Sequence, residues 1–263
     1  MPPQAMLTIA GEGAGWFTRP PTTRCWVGHH ARTSGTGPAA LVDPNLARQP
    51  RVVAPVSASG WRGYGWSVAS PDLARALDPH SSALRPLPAD IGELLVAVRA
   101  PARLAAHLRA VHHVAWQLTE QLKAGFPTLV FDREAVLYGA ATHNIGKVEH
   151  RSELTGPGHQ HEPAGYHLLV AYGVPARLAR FARTDASWTD PDTTIDDHLV
   201  SLADKIWKAK RVPDLEGVIT AHLAATCGVE PWQAFAQLDD ILDGLAADAD
   251  HRLAYQASHP VSP

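Results

Sequence analysis

Histidine and aspartate side chains at His107, His143, His161, Asp185 and Asp204, with an amide at Asn144, are the groups in this chain whose types could hold a divalent metal. Imidazole nitrogen and carboxylate oxygen together suit first-row divalent ions, and buried charges of this kind are tolerated where they pair or coordinate. Steps of 36, 18, 24 and 19 residues separate the main positions, so no single loop can carry them. Each of the 15 histidines, taken alone, is more simply a core or surface residue; only the joint pattern points to a metal. Such ligands must converge from separate elements.

Helical periodicity supplies those elements. Leu104, Leu108, Val111, Ala115, Leu118 and Leu122 alternate in steps of four and three, the spacing of one amphipathic face. His107 lies on the margin of that stripe. A second helix is expected over Arg133–His143, with Asp132 as its N-cap and Gly146 as its stop. Its small residues Gly139, Ala140 and Ala141 would let neighbouring helices come close. Further helices are expected over Glu162–Tyr172, Pro175–Arg183 and Asp196–Lys210, the last burying Leu199, Leu202, Ala203 and Ile206. Two more follow, Leu215–Thr226 and Pro231–Tyr255, the latter with Phe235, Leu238, Leu242 and Leu245 on one face.

The expected fold class is thus mainly α, a helical bundle over residues 91–256. Residues 1–90 are rich in glycine and proline and are expected to be irregular or partly β, with short strands at Arg51–Val56 and Gly60–Val68. Pro71–Leu77 reads as a turn or two of helix, Pro79–Pro88 as a linker, and the tail after Ala257 as frayed.

Composition bounds the function classes. With 45% hydrophobic and 19% charged residues and a net charge of −3, nothing global argues for nucleic acid or an acidic membrane. Cys25 and Cys227 show no CxxC pairing, so a disulfide framework or thiolate zinc site is not expected and a reducing compartment is the default. No basic and apolar leader opens the chain, and no apolar run approaches the roughly 18 residues that span a bilayer. A cytoplasmic location is expected.

Beyond the ligand positions lie cations. Lys147 follows His143 and Asn144 across a helix stop, and Lys205, Lys208, Lys210 and Arg211 form a basic segment around Asp204. Lys208 stands one helical turn after Asp204, so it would point the same way and could meet an anion. Lys208 and Arg211 are therefore candidate substrate contacts.

At these residues the chain resembles the HD-domain superfamily of metal-dependent phosphohydrolases. His107-Leu108-Arg109-Ala110-Val111 looks like its first motif, and Ala141-Thr142-His143-Asn144-Ile145-Gly146-Lys147 resembles its His-Asp pair followed by Ile-Gly-Lys. Leu202-Ala203-Asp204-Lys205 resembles its last motif, and Gly158–Gly165 its histidine-bearing helix start, which places His161 at a second metal in binuclear members. The resemblance covers about residues 95–212. It implies an all-α core, a divalent ion (manganese, magnesium, iron, cobalt, nickel or zinc) held by His107, His143, Asn144, His161, Asp185 and Asp204, and hydrolysis of a nucleotide or other small phosphate ester. Lys147 would be the catalytic, phosphate-binding cation.

Two departures stand out. Asn144 occupies the place of the family's bridging aspartate, and Asp185 stands where binuclear members commonly have histidine. An amide oxygen is neutral and bridges two cations poorly. The alternative reading is a degenerate HD fold that serves as a ligand-binding or regulatory module.

Overall fold

The computed structural model describes residues 68–184 and 186–261. Their regular elements are α1 (Pro71–Leu77), α2 (Ala89–Ala97), α3 (Ala102–Gly125), α4 (Arg133–Thr142), α5 (His161–Ala171), α6 (Ala176–Ala179), α7 (Phe181–Thr184), α8 (Ile195–Ile206), α9 (Pro213–Cys227), α10 (Pro231–Ala246) and α11 (Ala249–Ala257). Two 3-10 turns, Ile145–Val148 and Arg151–Leu154, fill the connection from α4 to α5. The described chain is mainly helical, with no strand among the described residues. The strands expected at Arg51–Val56 and Gly60–Val68 (Val68 apart), Cys25 and Asp185 lie outside them.

The stripe read from Leu104 to Leu122 is the reason α3 is central. Leu104, Leu108, Val111, Ala115, Leu118 and Leu122 are all fully buried, and α1, α4, α8, α10 and α11 pack around the helix that carries them. Alanines at 105, 106 and 110 are buried too, and small residues let several helices share one axis.

α4 starts as its sequence dictates: the Asp132 carboxylate accepts from the Ala135 amide at 3.0 Å. Its end is different. Gly146 is not a helix stop but lies inside the first 3-10 turn, where a Cβ would sit 2.0 Å from the His161 carbonyl oxygen and 2.5 Å from the Gly165 nitrogen. Glycine is needed there because turn and α5 touch backbone to backbone. Gly139 acts as expected: a Cβ would lie 2.6 Å from the Phe181 ring and 2.8 Å from Val200, so α4 tucks against α7 and α8.

Several expected boundaries move. The helix bearing Asp204 ends at Ile206, not Lys210, and Ala209 takes the left-handed φ of 55°. The expected Pro231–Tyr255 helix breaks between Ala246 and Ala249, and Phe235 is 55% exposed rather than part of the core stripe. One buried guanidinium accounts for both breaks. Arg252, 1% exposed, donates to the Trp207 carbonyl at 2.7 Å and the Leu245 carbonyl at 2.6 Å. It satisfies orphan carbonyls at the ends of α8 and α10 at once.

Pro79–Pro88 is not a slack linker. Arg109, 0% exposed, donates to the carbonyls of Asp78 at 2.7 Å, Leu84 at 2.8 Å and Pro79 at 3.2 Å, and to the Ser81 hydroxyl at 3.0 Å. The end of the described chain is likewise held: Arg103 donates through Nε to the His259 carbonyl at 2.8 Å and through its amide to Pro260 at 3.0 Å.

One consequence for stability concerns His112 on α3. The residue is buried and its Nδ1 has no hydrogen-bond partner among the described residues. Burial, with the nearby Arg85, His113 and Arg133 charges, pushes its pKa down to about 4. An unfolded histidine titrates near 6.5, so as pH falls the unfolded chain takes up this proton first. The stability that His112 contributes is complete above about pH 6.5 and drains away towards pH 4, to the extent of about 3 kcal/mol. Urea unfolding across that window should show it, and His112→Leu should flatten that share of the slope. An unaltered slope would sink the assignment.

Candidate metal centre

His107 projects from α3, Asp204 from α8, and His143 from the residue that closes α4. Because these three helices pack on one another, the side chains meet. His107 Nε2 lies 3.4 Å from His143 Nε2, His143 Nε2 lies 3.2 Å from Asp204 Oδ1, and Asp204 Oδ1 lies 3.5 Å from His107 Nε2. All three residues are buried.

The protons decide what this triangle can do. His143 Nδ1 lies 3.1 Å from the Ala140 carbonyl oxygen, which can only accept, so Nδ1 donates. A neutral His143 then has a bare lone pair on Nε2, aimed at a carboxylate oxygen and another imidazole. That arrangement is stable when Nε2 is protonated too, or when a cation sits among the three atoms. A ligating histidine typically donates its other nitrogen to a carbonyl or carboxylate, as here. Burial holds the His107 pKa far below its ordinary value, against the pull of Asp204. Burial pushes the Asp204 carboxyl up, but the His143 hydrogen bond and the charges of His143, Lys205 and His107 outweigh it and leave it well below the usual range. The site therefore offers a carboxylate and a neutral imidazole.

Size fits as well. Nitrogen and oxygen ligands about 2.0–2.1 Å from a tetrahedral ion stand about 3.3–3.4 Å apart, and the observed edges are 3.2–3.5 Å. Asn144, 3% exposed, places its amide nitrogen 3.2 Å from His107 Nε2 and leaves its Oδ1 with no hydrogen-bond partner among the described residues. The nitrogen and oxygen of an amide are assigned from their surroundings. Turned over, the amide would bring a neutral oxygen to the same corner of the triangle. The residues present thus suit one divalent ion.

Other residues stand around this core. Lys205 Nζ lies 2.7 Å from Asp204 Oδ2, which leaves Oδ1 to face the histidines. The charges of Lys147 and Lys208 both act on His107. Lys208 lies past the end of α8, so its nearness comes from the turn after Ile206 and not from helical register. His161 opens α5 and is not part of the three-atom group. Its Nδ1 lies 2.5 Å from Glu153 Oε2, and its amide is bound to the same carboxylate at 3.2 Å.

Arg211 stands among carboxylates. It bridges Glu216 at 2.9 Å, Asp239 at 2.5 Å and Asp243 at 2.7 Å, which ties the α8–α9 connection to α10.

Three residues of the site escape a reading of the sequence. Glu153 has no helical periodicity to mark it, and Arg252 acts from 45 residues away on the Trp207 carbonyl. Trp207 sets its ring edge-on to His107 at 5.0 Å between centroids. Its place after the Ala203-Asp204-Lys205 motif is the one signal that could have found it.

No family model matches the chain, and no curated protein and no solved structure is significantly similar to it. Among the described residues no helix is long and apolar enough to cross a membrane.

Proposed function

We propose that this chain is a metal-dependent phosphohydrolase of the HD type, acting on a small phosphate ester of nucleotide-like character with one divalent ion at His107, His143 and Asp204. The observation that carries this reading is the His143 imidazole: its Nδ1 is pinned to the Ala140 carbonyl while its Nε2 faces Asp204 and His107 with edges an ion would fill. When bound, the ion would supply Lewis acidity to the phosphoryl oxygen and to the attacking water. Asp204 supplies the negative charge, with Lys205 fixing which oxygen faces inward. Lys147 and Lys208, whose fields already reach His107, would draw the phosphate to the triangle. Trp207 packs its ring edge against one side of His107 and would hold that imidazole in place. The test is elemental analysis of the purified chain together with hydrolysis of an aryl phosphate in added manganese. Bound metal with turnover supports the reading; metal-free, inert protein overturns it.

The second reading, a degenerate HD fold that binds a ligand or regulates a partner, is favoured by Asn144 alone. The substitution Asn144→Asp separates the two. It adds a carboxylate to a buried site that already holds Asp204, so without metal the variant should melt lower than the parent. With manganese it should gain at least about tenfold in apparent metal affinity and rise in activity. A variant that melts lower yet gains nothing from metal would favour the binding module.

A further inference from the structure

Trp207, the residue that closes α8, carries a polar atom that the metal triangle does not use. Arg252 holds its carbonyl at 2.7 Å, and its ring packs against His107 at 5.0 Å between centroids. The residue is 3% exposed, and its Nε1 is buried with no hydrogen-bond partner among the described residues. An indole nitrogen can only donate, and a buried one ordinarily finds an acceptor. Phenylalanine would make much the same ring contact without leaving a donor unmet. A second orphan stands beside the same imidazole. Asn144, with its amide nitrogen 3.2 Å from His107 Nε2, leaves Oδ1 without a partner among the described residues. Turning the amide puts its nitrogen in that unpartnered place instead. Solvent reaches this corner, since the side chains of His107 and Asp204 are 10% and 7% exposed. The Lys208 ammonium lies 5.7 Å from the centre of the Trp207 ring. The charged groups that act on His107 include one carboxylate, Asp204, against two ammoniums, Lys147 and Lys208.

We propose that the Trp207 indole N–H donates to an oxygen of the substrate's phosphoryl group, which makes Trp207 a binding contact for an oxyanion beside the metal centre. A neutral acceptor could satisfy the indole, but the ammonium near its ring favours an anionic one. Arg252 fixes the backbone of Trp207 and burial fixes the ring, so the donor is oriented in advance and loses little freedom on binding. Lys208 supplies charge from an exposed position, and Trp207 supplies direction. The identity of the anion rests on the phosphohydrolase reading above; the unmet donor does not.

The test uses the full chain, isotopically labelled at the indole nitrogens of its eight tryptophans, with magnesium present and inorganic phosphate as the probe. The Trp207 signal is the one lost from the nuclear magnetic resonance spectrum in Trp207→Phe. Lys208→Ala removes the ammonium near the same ring at an exposed position; it shifts that signal, and so marks it should the Phe variant fail to fold. As phosphate is added the Trp207 proton should move downfield and saturate with the dissociation constant that calorimetry reads. Folded Trp207→Phe should bind phosphate at least about tenfold more weakly, the loss of one hydrogen bond to a charged acceptor. A signal unmoved at saturating phosphate, parent-like affinity in Trp207→Phe, or no phosphate binding at all overturns the proposal. Turnover with an unmoved signal leaves the phosphohydrolase standing and removes only this contact. A moving signal in a metal-free, inert chain keeps the oxyanion contact and removes the phosphohydrolase.

Discussion

Under the proposed function, Asp204→Asn is expected to abolish metal binding and lower phosphate-ester hydrolysis by about a thousandfold, the equivalent of roughly 4 kcal/mol of transition-state stabilisation. The size of the effect follows from the donor set. Among the three residues that meet, Asp204 is the only carboxylate; the others are imidazoles, and the adjoining Asn144 is a neutral amide. Replacing the charge with a second amide leaves nothing to offset a divalent cation in a buried site. Elemental analysis reads the loss independently of catalysis, as does the loss of any manganese-induced rise in melting temperature. Retention of one ion per chain in Asp204→Asn would overturn the ligand assignment. Lys147→Ala should behave differently, keeping the metal while raising KM for an anionic substrate, because its charge acts on the site without ligating it.

Arg109→Met is expected to cost about 4 kcal/mol of stability in urea unfolding, among the largest effects of any single change in this bundle. Methionine fills much of the volume, but the carbonyls of Pro79 and Leu84 lose the guanidinium donor, and the Asp78 carbonyl and Ser81 hydroxyl keep only their bonds to each other and to the Ser81 amide. The Tyr255 hydroxyl, 3.3 Å from Nη1, loses its link to the same guanidinium and keeps only the Ala76 carbonyl at 3.1 Å. Arg109→Lys keeps the charge without the fork and should fall between parent and Met variant. Hydrogen exchange should rise first in α1 and residues 78–84, the segment that the guanidinium fastens to α3. A loss below about 1 kcal/mol would show that the buried fork is not what holds that segment.

Particular elements show what was legible. The fully buried stripe of α3 follows directly from steps of four and three, since a helix places such residues on one face whatever surrounds it. Asp132 capping α4 and the small residues at 139–141 were equally local signals. Gly146 was legible as important but not for the right reason: its role depends on the backbone of α5, fifteen residues on. Phe235 kept its helical spacing with Leu238 and Leu242 yet faces solvent, because periodicity defines a face without saying what covers it. Arg211 stands in a basic run of the sequence, and only the return of α10 past it supplied Asp239 and Asp243, two of the carboxylates it bridges.

The sequence by itself determined that the described residues are mainly helical and which residue types meet at the candidate site, because helical period and side-chain chemistry are local properties. Tertiary structure alone decided that His107, His143 and Asp204 stand 3.2–3.5 Å apart, that Glu153 engages His161, and that Arg252 ends two helices at once. The first depends on how α3, α4 and α8 cross and the others on how later elements return to them, and such crossing is set by the packing of many side chains together rather than by any one segment.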